Sequence, residues 1–183
     1  RKLNLKAIRE SLYGTFNTMG YIFAIIVGAS VFAFVVRGLG GDEIIESALT
    51  SLPFGDTGII LFMLFSIFFL GFFLDWIEIT FIILPLITPV IGTMDLNISG
   101  FGVVDQPALV WFTVLVAVTL QTSYLTPPVG YALFYIKGVC PPEIKMTHIY
   151  RGIIPFVTLQ MIAAIIVFLW PSLVTWLPAV IYK

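Results

Sequence analysis

The residues with the clearest chemical potential lie together in one stretch, QTSYLTPPVG, inside an apolar run. It supplies an amide, aliphatic hydroxyls, two prolines and a glycine: Gln121, Thr122, Ser123, Thr126, Pro127, Pro128 and Gly130. Proline donates no backbone hydrogen bond and disfavours helix in the residue before it, so Thr126 is predicted to be extended. The stretch therefore predicts a broken helix. Its freed carbonyls can bind a cation, and the N-terminus of its second half can bind an anion.

A simpler interpretation of the same stretch is a proline kink whose neighbouring hydroxyls cap the freed backbone groups. Lipid offers those groups no partner, so at membrane depth they persist only where they face protein or a wet cavity. The number of polar neighbours favours a binding site, and the kink without a ligand stays the alternative.

A second candidate set is acidic and lies where another apolar run is interrupted, at GFFLDWIE from Gly71 to Glu78. Asp75 and Glu78 are three residues apart and share one face of a helix. Carboxylates at membrane depth are expensive and usually functional, so we expect Asp75 to help hold a cation or a proton. The alternative is a solvated turn at the headgroup level. Pro85 and Pro89 are expected to interrupt the run that follows.

Composition places these residues in a membrane. The 183-residue chain is 60% hydrophobic and only 10% charged, with a mean hydropathy of +1.08, whereas soluble domains are about 25% charged. This predicts an all-α integral membrane protein in a lipid bilayer. A net charge of −1 without a basic stripe gives no sign of a nucleic-acid partner. Cys140 and His148 are single residues of their types, and no nucleophile–base pair or metal triad can be assembled, so no enzyme is expected.

Charge patterning predicts the topology. Spans are predicted over 12–36, 108–139 (broken) and 152–176, with basic segments at the start and around Lys145 on the cytoplasmic side. Residues 57–94 are either two spans with a tight turn at Asp75 or a re-entrant hairpin with Asp75 at its buried tip. The absence of Lys and Arg around Asp75 favours the hairpin.

Two smaller features complete the topology. A short interfacial helix is predicted from about 43 to 52, between the first span and the hairpin. Arg37, which closes the first span, is predicted to snorkel to headgroups, with a substrate carboxylate as the alternative partner. The chain begins with Arg1 rather than Met, which we interpret as a piece of a longer product.

Two motifs resemble one family. The string TPPVGYALF, from Thr126 to Phe134, resembles the TPPxGxxLF signature of the large membrane subunit of TRAP (tripartite ATP-independent periplasmic) transporters, the DctM type. The triplet FLD ending at Asp75, followed by Pro85 and Pro89, resembles a second pattern of that subunit. The pair Gly28-Ala29, the pair Pro155-Phe156 near the last span and the terminal segment from Pro171 to Pro178 also agree with the family. The ordered set therefore covers essentially the whole chain and is more specific than either motif alone.

The resemblance implies a permease subunit of a sodium-coupled secondary transporter in a bacterial or archaeal inner membrane. A periplasmic substrate-binding protein would deliver an organic acid, such as a C4-dicarboxylate or sialic acid, and a small DctQ-type membrane subunit would complete the complex. The implied fold is the ion-transporter-superfamily elevator fold, in which each inverted repeat supplies a re-entrant hairpin and a broken helix with sodium between them. The chain, 1–183, would be the C-terminal repeat, and the N-terminal half of the permease would be a further partner.

The resemblance also implies a site. Its sodium- and substrate-binding positions are Gly71, Asp75, Gln121, Thr122, Ser123, Thr126, Pro127, Pro128 and Gly130. Sodium would be the coupling ion, with Thr122, Ser123 and Thr126 as its ligands, and no other cofactor is expected. The alternative function is a membrane anchor or assembly subunit that has no transport site of its own.

Overall fold

The structure, a computed structural model, describes residues 4–127, 130–141 and 143–182, and its regular elements over those ranges are helical. In chain order the helices are α1 Leu5–Gly38, α2 Gly41–Thr50, α3 Gly55–Leu70, α4 Trp76–Glu78, a π-helical segment Ile79–Ile83, α5 Leu84–Thr93, α6 Pro107–Leu125, α7 Tyr131–Val139, α8 Met146–Leu169 and α9 Ser172–Ile181.

Among the described residues, four helices are long and apolar enough to cross a membrane: Leu5–Gly38, Trp76–Thr93, Pro107–Leu125 and Met146–Leu169. The pair α2 and α3, which is bent by 116° at its break, would make a fifth crossing if it forms one span. An all-helical chain with four to five such segments is an integral membrane protein, as composition predicts.

Short signals set the first helix boundaries. Asn4 caps α1 by accepting a hydrogen bond from the amide of Ala7 at 2.8 Å. After α1, Gly40 adopts a left-handed φ of 75° and turns the chain into α2, which lies close to the predicted short helix.

The run from Trp76 to Thr93 corrects one expectation, because Pro85 and Pro89 do not interrupt it. Pro85 stands in the first turn of α5, just after the π-helical segment, where its missing amide is tolerated. Pro89 lies inside α5 and leaves the carbonyl of Pro85 without its helical donor. Arg37 fills that gap, since its Nη2 donates to Pro85 O at 3.3 Å. Trp76–Thr93 is therefore one continuous segment, called the second arm below.

The core lies where α3 meets α6. Its buried side chains are Ile59, Ile60, Met63 and Ile67 of α3, Ile79 and Ile91 of the second arm, and Trp111, Phe112, Leu115, Val116 and Leu120 of α6. α6 also packs against α8 and α9, and the indole nitrogen of Trp111 donates to Val167 O at 2.7 Å. α6 is thus the central helix, and it carries the polar stretch at its end.

The two longest helices contrast with this core. Ala29 is the buried residue of α1, and Ile149 is that of α8. Most of their remaining side chains are apolar and at least partly exposed, as suits contact with lipid or with protein outside this chain. α9 is held more firmly, since the buried Thr175 donates its hydroxyl to Ser99 O at 2.8 Å and so fixes the loop before α6.

Candidate functional site

The first helix interruption runs from Gly71 to Asp75, between α3 and the second arm. At the end of α3 the amide of Phe72 bonds to Phe69 O at 3.2 Å, so it does not reach Phe68 O, which an α-helix would pair with it. Ser123 of α6 supplies the donor instead, with its Oγ 2.9 Å from Phe68 O. A side chain 55 residues away thus satisfies the carbonyl that the interruption frees.

Gly71 permits this contact. A Cβ on Gly71 would lie 2.6 Å from Ser123 Oγ and 3.0 Å from Ser123 Cβ, closer than real side chains approach. Both residues are buried. Glycine is therefore required here by the close approach of α6, although its φ is ordinary at −64°. The structure thus brings together two predicted site residues, Gly71 of the first interruption and Ser123 in the last turn of α6.

The second interruption runs from Thr126 to Gly130, between α6 and α7. Thr126 is extended, with φ −100° and ψ 131°, which confirms the prediction from the prolines. Its amide bonds to Ser123 O at 3.1 Å, and its hydroxyl donates to Thr122 O at 2.7 Å. Thr122 in turn donates its hydroxyl to Val118 O at 2.8 Å.

The three predicted sodium ligands therefore share one arrangement. Each hydroxyl of Thr122, Ser123 and Thr126 donates its proton to a backbone carbonyl. A hydroxyl that donates in this way keeps its oxygen lone pairs for another partner. The hydroxyls of Ser123 and Thr126 thus cap freed carbonyls, as the kink interpretation requires, whereas Thr122 donates to a carbonyl inside α6. All three retain the capacity to bind a cation.

The two helix starts beyond the interruptions differ. The carboxylate of Asp75 accepts from the amide of Trp76 at 2.8 Å, and the carboxylate of Glu78 accepts from the amide of Asp75 at 3.1 Å. This capping box places an anion at the positive end of α4. At the start of α7 stands Gly130, buried and left-handed with φ 49°, which has no side chain to offer.

The remaining predicted site residues are Gln121, Pro127 and Pro128. Gln121 and Pro127 are exposed, whereas Thr122 and Ser123 between them are buried. Pro128 lies outside the described residues. Within the described ranges no group of His, Cys, Asp and Glu could hold a metal ion, so a cation site here would be built from hydroxyl and carbonyl oxygens.

An apolar groove of about 610 Å³ lies beside the site, between α3, α6 and α8. Its polar lining comes from Thr119 and Thr122, and its walls include Phe65, Met161 and Phe168. Because its lining is almost entirely apolar, the groove suits a hydrocarbon ligand rather than an ion. Thr122 therefore lies between this groove and the second interruption.

Sequence reasoning missed Phe68, whose contribution to the site is a backbone oxygen. No side-chain motif reports such a group. The available signal is indirect: Gly71 lies three residues later, at the end of an apolar helix, where freed carbonyls are expected.

Comparison with known proteins decides the family. Residues 1–173 match the family described as "Tripartite ATP-independent periplasmic transporter, DctM component". The chain belongs to this family. The resemblance read from the TPP and FLD motifs is confirmed.

This DctM-family chain is 24% identical over 178 residues to the sialic acid TRAP transporter large permease protein SiaM of Vibrio cholerae, covering 96% of the chain and 38% of that protein. It is 22% identical over 176 residues to the C4-dicarboxylate TRAP transporter large permease protein DctM of Vibrio cholerae, covering 96% and 36%. To the sialic acid TRAP transporter permease protein SiaT of Haemophilus influenzae it is 27% identical over 110 residues, covering 60% and 16%.

These DctM-type relatives are much longer than the chain, which spans less than two fifths of each. No solved structure matches it. The relatives are transport permeases rather than enzymes, and with several apolar helices the chain is a multi-pass protein of the inner membrane.

Proposed function

We propose that the chain is part of the permease of a sodium-coupled secondary transporter, which imports organic acids delivered by a periplasmic binding protein. The contact between Gly71 and Ser123 carries the proposal, because it joins the first interruption to the last turn of α6, which leads directly into the second. In this proposal residues 57–94 form a re-entrant hairpin, and 108–139 form a broken span in one inverted-repeat half of an elevator fold. The N-terminal half of the permease and a small DctQ-type subunit complete the assembly.

Sodium binding is proposed at the hydroxyls of Thr122, Ser123 and Thr126. Unwound backbone and half-helix ends coordinate sodium in secondary transporters, where irregular backbone lines a cavity. The hydrogen bonds to Phe68 O and Thr122 O hold two of these hydroxyls at the interruptions. A cation on these hydroxyls would hold Ser123 in its bond to Phe68 O, and would so stabilise the hairpin against the broken helix.

The substrate is proposed to be a carboxylate, which is the group shared by the acids in the names of the relatives. Helix N-termini attract carboxylates, and two helices begin just after the interruptions, α4 and α7. Asp75 already occupies the start of α4 with its own carboxylate. The start of α7, at Gly130, has no such anion in its own cap, so we place the substrate carboxylate there.

The test is uptake by the native transport complex containing this chain, reconstituted in liposomes with its binding protein. Ser123→Ala and Thr126→Ala should abolish sodium-dependent uptake while the complex still assembles. The control is Thr113→Ala, which removes an exposed α6 hydroxyl with the same bond to its own helix, to Leu109 O at 2.8 Å. Unchanged sodium dependence in both site variants would overturn the proposal.

A membrane anchor or assembly role remains the second candidate, and the open apolar surfaces of α1 and α8 favour it. In that case the helix interruptions serve only packing. Replacement of Thr126 and Ser123 would then leave uptake unaffected, while partner subunits would still co-purify. The same reconstituted complex therefore separates the two functions.

A further inference from the structure

One arginine joins three helices at the end of α1. The guanidinium of Arg37 donates from Nη2 to Pro85 O at 3.3 Å, and its Nε lies 3.4 Å from Asp42 Oδ2. Asp42 belongs to the first turn of α2, and Pro85 belongs to the second arm. Arg37 thus connects α1 to the helix that precedes α3 and to the arm that follows the first interruption.

The acceptor in the second arm exists because of a proline. In a continuous α-helix, Pro85 O would accept from the amide of residue 89, but Pro89 has no amide hydrogen. A carbonyl freed within an apolar segment needs a donor from elsewhere. Arg37, 48 residues earlier, is that donor.

The chemistry favours arginine at this place. A guanidinium presents several N–H donors in a fixed fork, so it serves a carbonyl and a carboxylate at once, whereas an ammonium acts as a point charge. Arg37 lies in the last turn of α1, where the helix dipole favours a cation, and Asp42 lies in the first turn of α2, where it favours an anion. Asp42 Oδ1 is buried and has no hydrogen-bond partner among the described residues, so Asp42 depends on Arg37 for compensation.

We propose that Arg37 is a positioning residue for the first interruption. The second arm contacts α1 through α4 and the π-helical segment near its start, and through Arg37 further along. Two separated attachments fix the direction of a helix better than one. The arm also packs against α2 and α6 through α5, so loss of Arg37 would loosen its hold on α1 rather than release it. The resulting shift would reach Gly71 and Asp75, which directly precede the arm. The transport consequence rests on the proposed function, whereas the attachment itself does not.

The transport test uses the native complex in liposomes and compares Arg37→Met with Arg37→Lys. In Arg37→Met the sodium concentration for half-maximal uptake should rise about three- to tenfold, the scale of one hydrogen bond to a charged group at a half-exposed site. Arg37→Lys keeps the charge but only one of the two contacts. Its sodium concentration for half-maximal uptake should therefore lie between those of Arg37→Met and the unaltered protein. Arg9→Met, which removes a cation from the exposed start of the same helix, should change nothing.

A second-site change isolates the carbonyl of Pro85. Pro89→Ala restores a backbone amide that can serve Pro85 O, so the double variant Arg37→Met/Pro89→Ala should recover most of the lost sodium affinity. A double variant as impaired as Arg37→Met alone would overturn the role of this carbonyl.

Hydrogen–deuterium exchange of the same complex tests the attachment without transport. Amides of Trp76–Thr93 should exchange several-fold faster in Arg37→Met and return toward the original rate in the double variant. Unchanged exchange together with an unchanged sodium requirement would overturn the inference. If the unaltered complex shows no sodium-dependent uptake, the proposed function fails, while the exchange result still decides the attachment.

Discussion

The two helix interruptions solve the same problem with different residues. At the first, between Gly71 and Asp75, the chain is tightly fitted: α6 approaches without room for a Cβ, and a carboxylate caps the helix that follows. At the second, hydroxyls satisfy the end of α6, whereas α7 begins at a glycine with no side-chain cap. The comparison shows a tightly packed, side-chain-capped helix start after the first interruption and an uncapped helix start after the second.

The largest loss of stability is expected at Gly130, at the uncapped start of α7. Gly130→Ala should destabilise the protein by about 3 kcal/mol, because a left-handed residue resists a Cβ and the new methyl overpacks its neighbour. The added Cβ would lie 2.7 Å from Leu133 Cδ1, and Leu133 is fully buried. Thermal unfolding of the purified complex measures the change. Gly138→Ala in α7, where nothing lies within 4 Å, is the matched control; equal losses in both would contradict the argument.

An intermediate loss of stability is expected where Gly71 packs against Ser123. Gly71→Ala should cost about 2 kcal/mol through overpacking against Ser123. Ser123→Ala removes the atom nearest to the added Cβ. The double variant should therefore lose at least about 0.5 kcal/mol less stability than the sum of the losses in the two single variants. The control is Gly92→Ala in the second arm, at an exposed position with nothing within 4 Å. Strict additivity in the unfolding measurements would show that Gly71 and Ser123 do not press on one another.

The smallest loss of stability is expected at Asp75, where two variants distinguish its role as a helix cap from the role of its charge. Asp75→Ala should cost about 1 kcal/mol, and Asp75→Asn less than half of that, because asparagine also caps a helix. We propose in addition that the Asp75 carboxylate helps to hold the coupling cation, since a carboxylate at membrane depth is usually functional. Asp75→Asn should then lose sodium-dependent uptake in the reconstituted complex, because the charge is gone. Full uptake in the asparagine variant would reduce Asp75 to a capping residue.

Local signals predicted much of this arrangement. The double proline predicts the end of α6 and the extended Thr126, and the break before Trp76 follows from glycine and aspartate. These predictions hold because proline, glycine and capping residues act on their own backbone.

Other features depend on contacts that local patterns do not contain. Pro85 and Pro89 were expected to break the second arm, but a π-helical segment and a distant arginine accommodate them. Gln121 was grouped with its polar neighbours, yet successive residues of a helix point in different directions, so it is exposed while Thr122 is buried. The bond from Ser123 to Phe68 O spans 55 residues, and only the fold creates it.

That last bond limits how the protein can change shape. If α3 slid away from α6, Phe68 O would lose its donor in a medium without water, which is a penalty of several kcal/mol. During any transport cycle these two helices should therefore travel as a unit. Bending is then expected at the borders of this pair, such as the 116° corner between α2 and α3.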